Sequence, residues 1–148
     1  MRALVQRITY STLKVDGEII AKTGKGLIVY LGVKKGDSEE EVEYVAKKVA
    51  GLRVFEDEDG KMNLSVKDVG GEILAVSQFT LYGDTKKGFR PSFFEAEEPN
   101  SANELFELFK EKLNANGVSV KSGIFGADMK IEYLNDGPVS VIVEKERQ

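Results

Sequence analysis

Apolar and polar positions alternate from the first residues. Arg2-Ala-Leu-Val-Gln-Arg-Ile-Thr9 reads as a strand. Leu13 and Val15 on one side and Ile19 and Ile20 on the other flank Asp16-Gly17, a strong short hairpin signal. Gly24-Lys-Gly26 is a turn, and Leu27 to Val33 is a near-continuous apolar run, the mark of a central strand buried on both faces. Ser38-Glu-Glu-Glu41 has capping-box spacing and acidic residues where a helix dipole favours them. Val42, Val45, Ala46, Val49 and Leu52 follow at helical spacing, predicting a helix over about 38–51. Arg53 to Phe55 predicts a short strand and Asn63 to Val66 a short extended piece.

The second half repeats this mixture. Ile73 to Tyr82 is punctuated by Gly70-Gly71 and Gly83-Asp84 and reads as one strand. Ala75, Ser77, Phe79 and Leu81 fall on one side of it, and Leu74, Val76, Gln78, Thr80 and Tyr82 on the other. Pro99 to Glu104 starts a second helix, with Ser101 and Glu104 in capping-box spacing. Leu105, Phe106, Phe109 and Leu113 form its apolar face, and Asn116-Gly117 ends it. Val118 to Val120, Met129 to Leu134 and Val139 to Val143 predict three more strands, with Asn135-Asp-Gly-Pro138 as a turn. The charged tail Glu144 to Gln148 is expected to fray. Strands predominate and the two helices stand far apart, without strict βαβ alternation. The expectation is an α+β fold: a mixed, strongly curved, barrel-like sheet with two helices on one side, in a single domain over residues 1–148.

Composition narrows the chemistry. The 148 residues carry a net charge of −4 and include no cysteine and no histidine. That excludes a disulfide framework, a thiol nucleophile, a Ser-His-Asp triad and the usual zinc site. Any catalysis rests on carboxylates, lysine, hydroxyls, backbone groups or the substrate. No cofactor or metal is expected. Glu56-Asp-Glu-Asp-Gly60 invites a calcium reading, but its alternation does not fit an EF-hand loop, and a solvated acidic hairpin turn explains it. No apolar run approaches a membrane span and no signal-peptide core is present, so a cytoplasmic location is expected.

Three features carry candidate function. Ser77, Gln78 and Thr80 are polar groups in a segment that otherwise reads as buried, where an unpartnered group costs roughly 1–3 kcal/mol. Either the fold satisfies them or they face a pocket. Lys86-Lys-Gly-Phe-Arg90-Pro-Ser-Phe-Phe94 is a basic loop with aromatics: a solvated loop, or a contact for phosphates and bases. Gly137-Pro138 before the last strand is a turn on its own terms.

Taken together and in order, these pieces resemble the D-aminoacyl-tRNA deacylase family. The resemblance begins with Met1-Arg-Ala-Leu-Val-Gln-Arg7 and Gly26 to Val33. It continues through Phe55 to Ser65, Ser77-Gln-Phe-Thr-Leu-Tyr82, Lys87-Gly88, Arg90-Pro-Ser-Phe93, Gly123 to Met129 and Asn135-Asp-Gly-Pro-Val139. It implies an enzyme that hydrolyses the ester of a D-amino acid, or of mischarged glycine, at the terminal adenosine of tRNA. It also implies a homodimer with active sites at the interface. Carried over, Ser77 and Gln78 would position adenosine and ester, and the N–H groups of Phe79 and Thr80 would hold the carbonyl oxygen. Gly137 and Pro138, cis in the family, would enter the partner's pocket, and Arg7 would brace them. Met129 would line the pocket, and Lys86, Lys87 and Arg90 would contact tRNA.

Thr80 as nucleophile has no histidine to activate it, so assistance from the tRNA 2′-OH is the preferred mechanism. Three departures stand out: Ser140 where threonine is usual, Tyr10 where a basic residue is common, and Phe89 where polar residues are common. The rival classes are a non-catalytic nucleic-acid-binding dimer and a purely structural dimer.

Overall fold

In the computed structural model, which describes residues 1–146, the N-terminal alternation runs well beyond residue 9. It forms β1, Arg2–Val15. Asp16 and Gly17, at φ of 52° and 81°, make the two-residue turn into β2, Glu18–Thr23. The other strands are β3 Gly26–Gly32, β4 Phe55–Glu56, β5 Met62–Leu64, β6 Glu72–Ser77, β7 Ser119–Ser122 and β8 Met129–Glu144. The helices are α1 Glu39–Gly51 and α2 Pro99–Ala115. β4 and β5 form a separate small hairpin around the acidic turn.

The main sheet is mixed. β1 pairs antiparallel with β3 through Arg2–Ile8 and with β2 through Ser11–Val15. Its other edge carries β8 from Arg2↔Glu144 to Val15↔Met129. β3, β6 and β7 continue the sheet in parallel. Register shifts in the ladders of β1 with β2 and with β8 bend it, as bulges do. β2 curls back until Lys121 of β7 donates to the Lys22 carbonyl at 2.8 Å, so the barrel-like sheet is nearly closed.

β3 and β6 are buried on both faces, which is why their runs are continuous rather than alternating. Leu27, Val29, Leu31, Ile73 and Ala75 meet Val42, Val45 and Val49 of α1 and Phe106, Phe109 and Leu113 of α2. Ile28, Leu74 and Val76 face the other way, onto Ile8, Leu13 and Ala21, with Met129, Ile131 and Tyr133 of β8 beside them. α1 starts as expected, the Glu41 carboxylate accepting from Ser38 N at 3.2 Å.

Four expectations need correction. α2 is not capped at Ser101. Pro99 takes its first turn, and the Glu98 carboxylate accepts from Asn100 N at 3.2 Å and Ser101 N at 2.7 Å. Asn135–Pro138 is not a turn between two strands. β1 advances from Gln6 to Ile8 while β8 runs from Ser140 back to Asn135, so the surplus residues bulge out of one long strand. The segment Ile73–Tyr82 is not one strand either: β6 stops at Ser77 and a 3-10 turn follows. The start of the tail does not fray. Lys145 N donates to Met1 O at 3.0 Å, and Glu146 pairs with Lys34 at 2.5 Å. Arg147 and Gln148 lie outside the described residues.

Candidate active site

β6 pairs with β3 as far as Leu31↔Ser77, and Gln78 N donates to Leu31 O at 2.8 Å. There β3 ends, so the next residues have no ladder to join. The chain folds over Gly32 into a 3-10 turn, Phe79–Tyr82. A Cβ on Gly32 would lie 3.0 Å from Leu81 Cβ and 3.2 Å from Gln78 O, so this crossing requires glycine or a displaced turn. Buried Tyr82 anchors the turn, with the Arg2 guanidinium 4.7 Å above its ring and donating to Leu81 O at 2.8 Å. Burial pushes the Tyr82 phenol well above its ordinary pKa, so it stays neutral.

The break changes where the polar groups point. Ser77, Gln78 and Phe79 line a cavity of about 560 Å³. Val33, Val76, Ala102 and Ile131 supply apolar wall, Met129 and the Phe125–Asp128 segment close one side, and Glu97, whose carboxylate accepts from Gly36 N and Glu98 N, borders it. An apolar cleft of this size with a few convergent polar groups is typical of a small-molecule site. Phe93 also lines it and packs edge-on against Phe79, ring centres 5.1 Å apart at 71°. Thr80 does not line the cavity, and its hydroxyl accepts from Gln78 Nε2. Phe79 and Thr80 head the 3-10 turn, where N–H groups lack an intrahelical acceptor.

Gly137 and Pro138 lie elsewhere. They are joined by a cis peptide bond, exposed in the bulge of β8, and line none of this chain's own cavity. Their surroundings hold them firmly. Buried Arg7 donates through Nε to Asp136 O at 2.9 Å and through Nη1 to Val54 O at 2.7 Å. Asn135 Nδ2 donates to Arg7 O at 3.0 Å and Val139 O at 3.2 Å. The Asp136 carboxylate, half exposed, sits 3.4 Å from Arg7 Nε.

Lys86, Lys87 and Arg90 are exposed on the loop between Asp84 and Ser92, whose backbones exchange hydrogen bonds at 2.7 and 2.9 Å. Lys87 also edges a crevice of about 300 Å³ with Asp84, Ser92, Phe94 and Glu95. Of the three departures, Ser140 Oγ accepts from Gln6 Nε2 at 2.9 Å, and Tyr10 points its hydroxyl at Glu132, 3.5 Å away. Phe89 is fully exposed.

Sequence reasoning missed several members of the site. Phe93 and Phe125–Ala127 lie inside the Arg90–Phe93 and Gly123–Met129 motifs, which mark them without indicating a role. Asn135 adjoins the Gly-Pro pair and carried that signal. Glu97 carried none. Among the described residues, no group of three or more acidic side chains is placed to hold a metal, and no helix is long and apolar enough to cross a membrane.

Residues 4–144 match the sequence profile of the D-Tyr-tRNA(Tyr) deacylase family. The chain is similar to a D-aminoacyl-tRNA deacylase of Carboxydothermus hydrogenoformans, 56% identical over 97% of this chain and 99% of that protein. It is also similar to one of Aquifex aeolicus, 52% identical over 97% of each. A solved structure described as c-Myc DNA Unwinding Element Binding Protein superposes with a TM-score of 0.92 at 40% identity, covering 99% of this chain and all of that one. A second, described as a probable eukaryotic D-amino acid tRNA deacylase, shares the fold at a TM-score of 0.80 and 18% identity, over 96% of this chain and 97% of that one. With nearly every residue of the described fold inside the matched span, the chain belongs to the D-Tyr-tRNA(Tyr) deacylase family.

Proposed function

We propose that this protein hydrolyses the ester linking a D-amino acid, or glycine, to the terminal adenosine of tRNA, and that it rejects L-aminoacyl-tRNA. The observation that carries this reading is the division of the site. One chain offers an open cavity bordered by Ser77, Gln78 and Phe79, and a braced, exposed Gly137–Pro138 pair that its own cavity does not use. Two copies related by a two-fold axis would each insert the pair into the other's cavity. The rigid carbonyls of Gly137 and Pro138 would accept hydrogen bonds from the substrate ammonium. An L side chain would collide with that wall and a D side chain would point away. Glycine has nothing to collide, so it would pass. Selection by exclusion needs few contacts to the D side chain, so one site can serve many D-amino acids.

The chemistry follows from what the chain lacks. No histidine is available as a base, and the Thr80 hydroxyl is occupied by the Gln78 amide. Hydrolysis therefore rests on the N–H groups of Phe79 and Thr80, which would stabilise the developing oxyanion, and on the tRNA 2′-OH, which would assist an attacking water. Ser77 and Gln78 would hold the adenosine and the ester, and Met129 would line their pocket. Lys86, Lys87 and Arg90 would neutralise tRNA phosphates. Such a substrate is consistent with a cytoplasmic location.

A second reading is a nucleic-acid-binding dimer without catalysis. It is favoured by the 40% identical structure whose description names binding to a DNA unwinding element. One experiment tests the composite site. A cavity variant (Gln78→Ala) and a Gly-Pro variant (Gly137→Ala), each inactive alone, are unfolded together and refolded. Half the dimers are then mixed, and half of their sites combine two intact contributions, so about a quarter of wild-type D-tyrosyl-tRNA deacylation should return. No recovery, with mixed dimers confirmed by mass, would rule out the cross-subunit site. No deacylation by wild type would leave the binding reading.

A further inference from the structure

The loop from Asp84 to Ser92 ends in a side chain that the proposed chemistry leaves unused. Phe89 is fully exposed, and its ring meets no other ring or cation among the described residues. Burying a phenylalanine stabilises a fold by about 1.5–3 kcal/mol, and this one contributes nothing of the kind. Nearby Phe94 is different, since Lys35 Nζ already covers its face at 3.9 Å. Phe89 follows Gly88, whose φ of 68° turns the loop tip, and has Lys86, Lys87 and Arg90 around it, all exposed. On a chain of net charge −4, these cations with a bare aromatic ring form a local patch suited to a polyanion carrying flat bases.

The patch is positioned as well as charged. The loop is closed at its base by the Asp84–Ser92 exchange, and the Asp84 carboxylate accepts from Lys86 N at 2.9 Å. Directly after it, Phe93 packs on Phe79 in the wall of the cavity. The loop is thus continuous with the cavity rim. A strand whose last nucleotide sits in the cavity would leave it past Phe93 toward the loop tip.

We infer that Phe89 is a stacking platform for an unpaired nucleotide just before the terminal adenosine, with Lys86, Lys87 and Arg90 neutralising the adjoining phosphates. This rests on the proposed function, because it requires the terminal adenosine in the cavity.

The test compares wild type, Phe89→Ala and Phe89→Trp on two substrates: D-tyrosyl-tRNA, and D-tyrosyl-adenosine, which has no nucleotide to stack. Base–aromatic stacking of about 1–3 kcal/mol predicts a KM for D-tyrosyl-tRNA raised about 5- to 150-fold in Phe89→Ala, with kcat little changed. Phe89→Trp should match wild type, and all three should treat D-tyrosyl-adenosine alike. An unchanged KM in Phe89→Ala overturns the inference. So does an equal loss on both substrates, or a loss that accompanies a changed oligomeric state. A binding measurement stands apart from catalysis: a single-stranded RNA ending in CCA, with 2-aminopurine replacing the penultimate base. Its fluorescence should be quenched by wild type and Phe89→Trp and spared by Phe89→Ala. Inactivity of the wild-type enzyme would defeat the proposed function alone. Quenching would still decide for the platform, and its absence against it.

Discussion

Replacing Arg7 by methionine tests whether the Gly-Pro pair is held from behind. Methionine keeps an apolar stem of similar reach and deletes the donors. Two hydrogen bonds from a charged donor are lost, to Val54 O at 2.7 Å and to Asp136 O at 2.9 Å. They differ in value. Val54 is 5% exposed, so its carbonyl is left unsatisfied, at a cost of about 1.5–3 kcal/mol. Asp136 is exposed, water can replace the lost donor, and its ion pair is screened, so that side adds only about 0.5–1 kcal/mol. Together the variant should lose about 2–4 kcal/mol, read as a lower urea midpoint at unchanged slope. Because Asp136 adjoins Gly137, D-tyrosyl-tRNA deacylation by the folded variant should also fall, while the volume-conserving Met129→Leu should keep its stability within about 1.5 kcal/mol. A folded Arg7→Met protein with wild-type stability and activity would refute the brace.

Thr80→Ala should keep activity within about tenfold, because the hydroxyl is not assigned the attack; tRNA ending in 2′-deoxyadenosine should resist hydrolysis. A folded, tRNA-binding but inactive Thr80→Ala would restore the hydroxyl as the nucleophile. Gly32→Ala places a Cβ 3.0 Å from Leu81 and 3.1 Å from the Tyr82 ring, and should cost about 1–3 kcal/mol and lower kcat/KM by displacing the Phe79–Tyr82 turn; unchanged values in both would show that the turn does not depend on that crossing. Glu146, hydrogen-bonded to the Glu144 carboxyl and to Lys34, has its pKa pulled down to about 2. A carboxyl depressed on folding stabilises above its unfolded value near 4.3 and loses that contribution as pH falls toward 2. Lys34→Met should therefore differ from wild type at pH 6, by no more than about 1 kcal/mol because Glu146 is a third exposed, and the gap should narrow by pH 2. A gap independent of pH would contradict the pairing.

The elements legible in the sequence were those fixed by local chemistry. The Asp16-Gly17 hairpin, the Ser38–Glu41 start of α1 and the doubly buried β3 needed no knowledge of distant residues. The misread elements depended on partners far along the chain. Alternation continues through Phe79 and Leu81, but the strand stops because β3 ends at Gly32 and offers nothing to pair with. Asn135-Asp-Gly-Pro138 carries every local sign of a reversal, but β1 is long enough to pair with β8 on both sides of it. α2 starts ahead of the Ser101–Glu104 signal because Pro99 and the Glu98 carboxylate cap it there. For the site, the motif residues Ser77, Gln78, Phe79 and Met129 do meet in one cavity. Other parts of its wall, Phe93, Phe125 and Glu97 among them, are brought there only by tertiary packing.

Chirality is the property by which the proposed site is tested most directly. The decisive measurement is kcat/KM of the wild-type protein for D-tyrosyl-tRNA against L-tyrosyl-tRNA charged on the same tRNA. A wall that excludes the L side chain at a cost of about 2.7 kcal/mol or more predicts a D-over-L ratio of at least about 100. Hydrolysis of both at similar rates would contradict it.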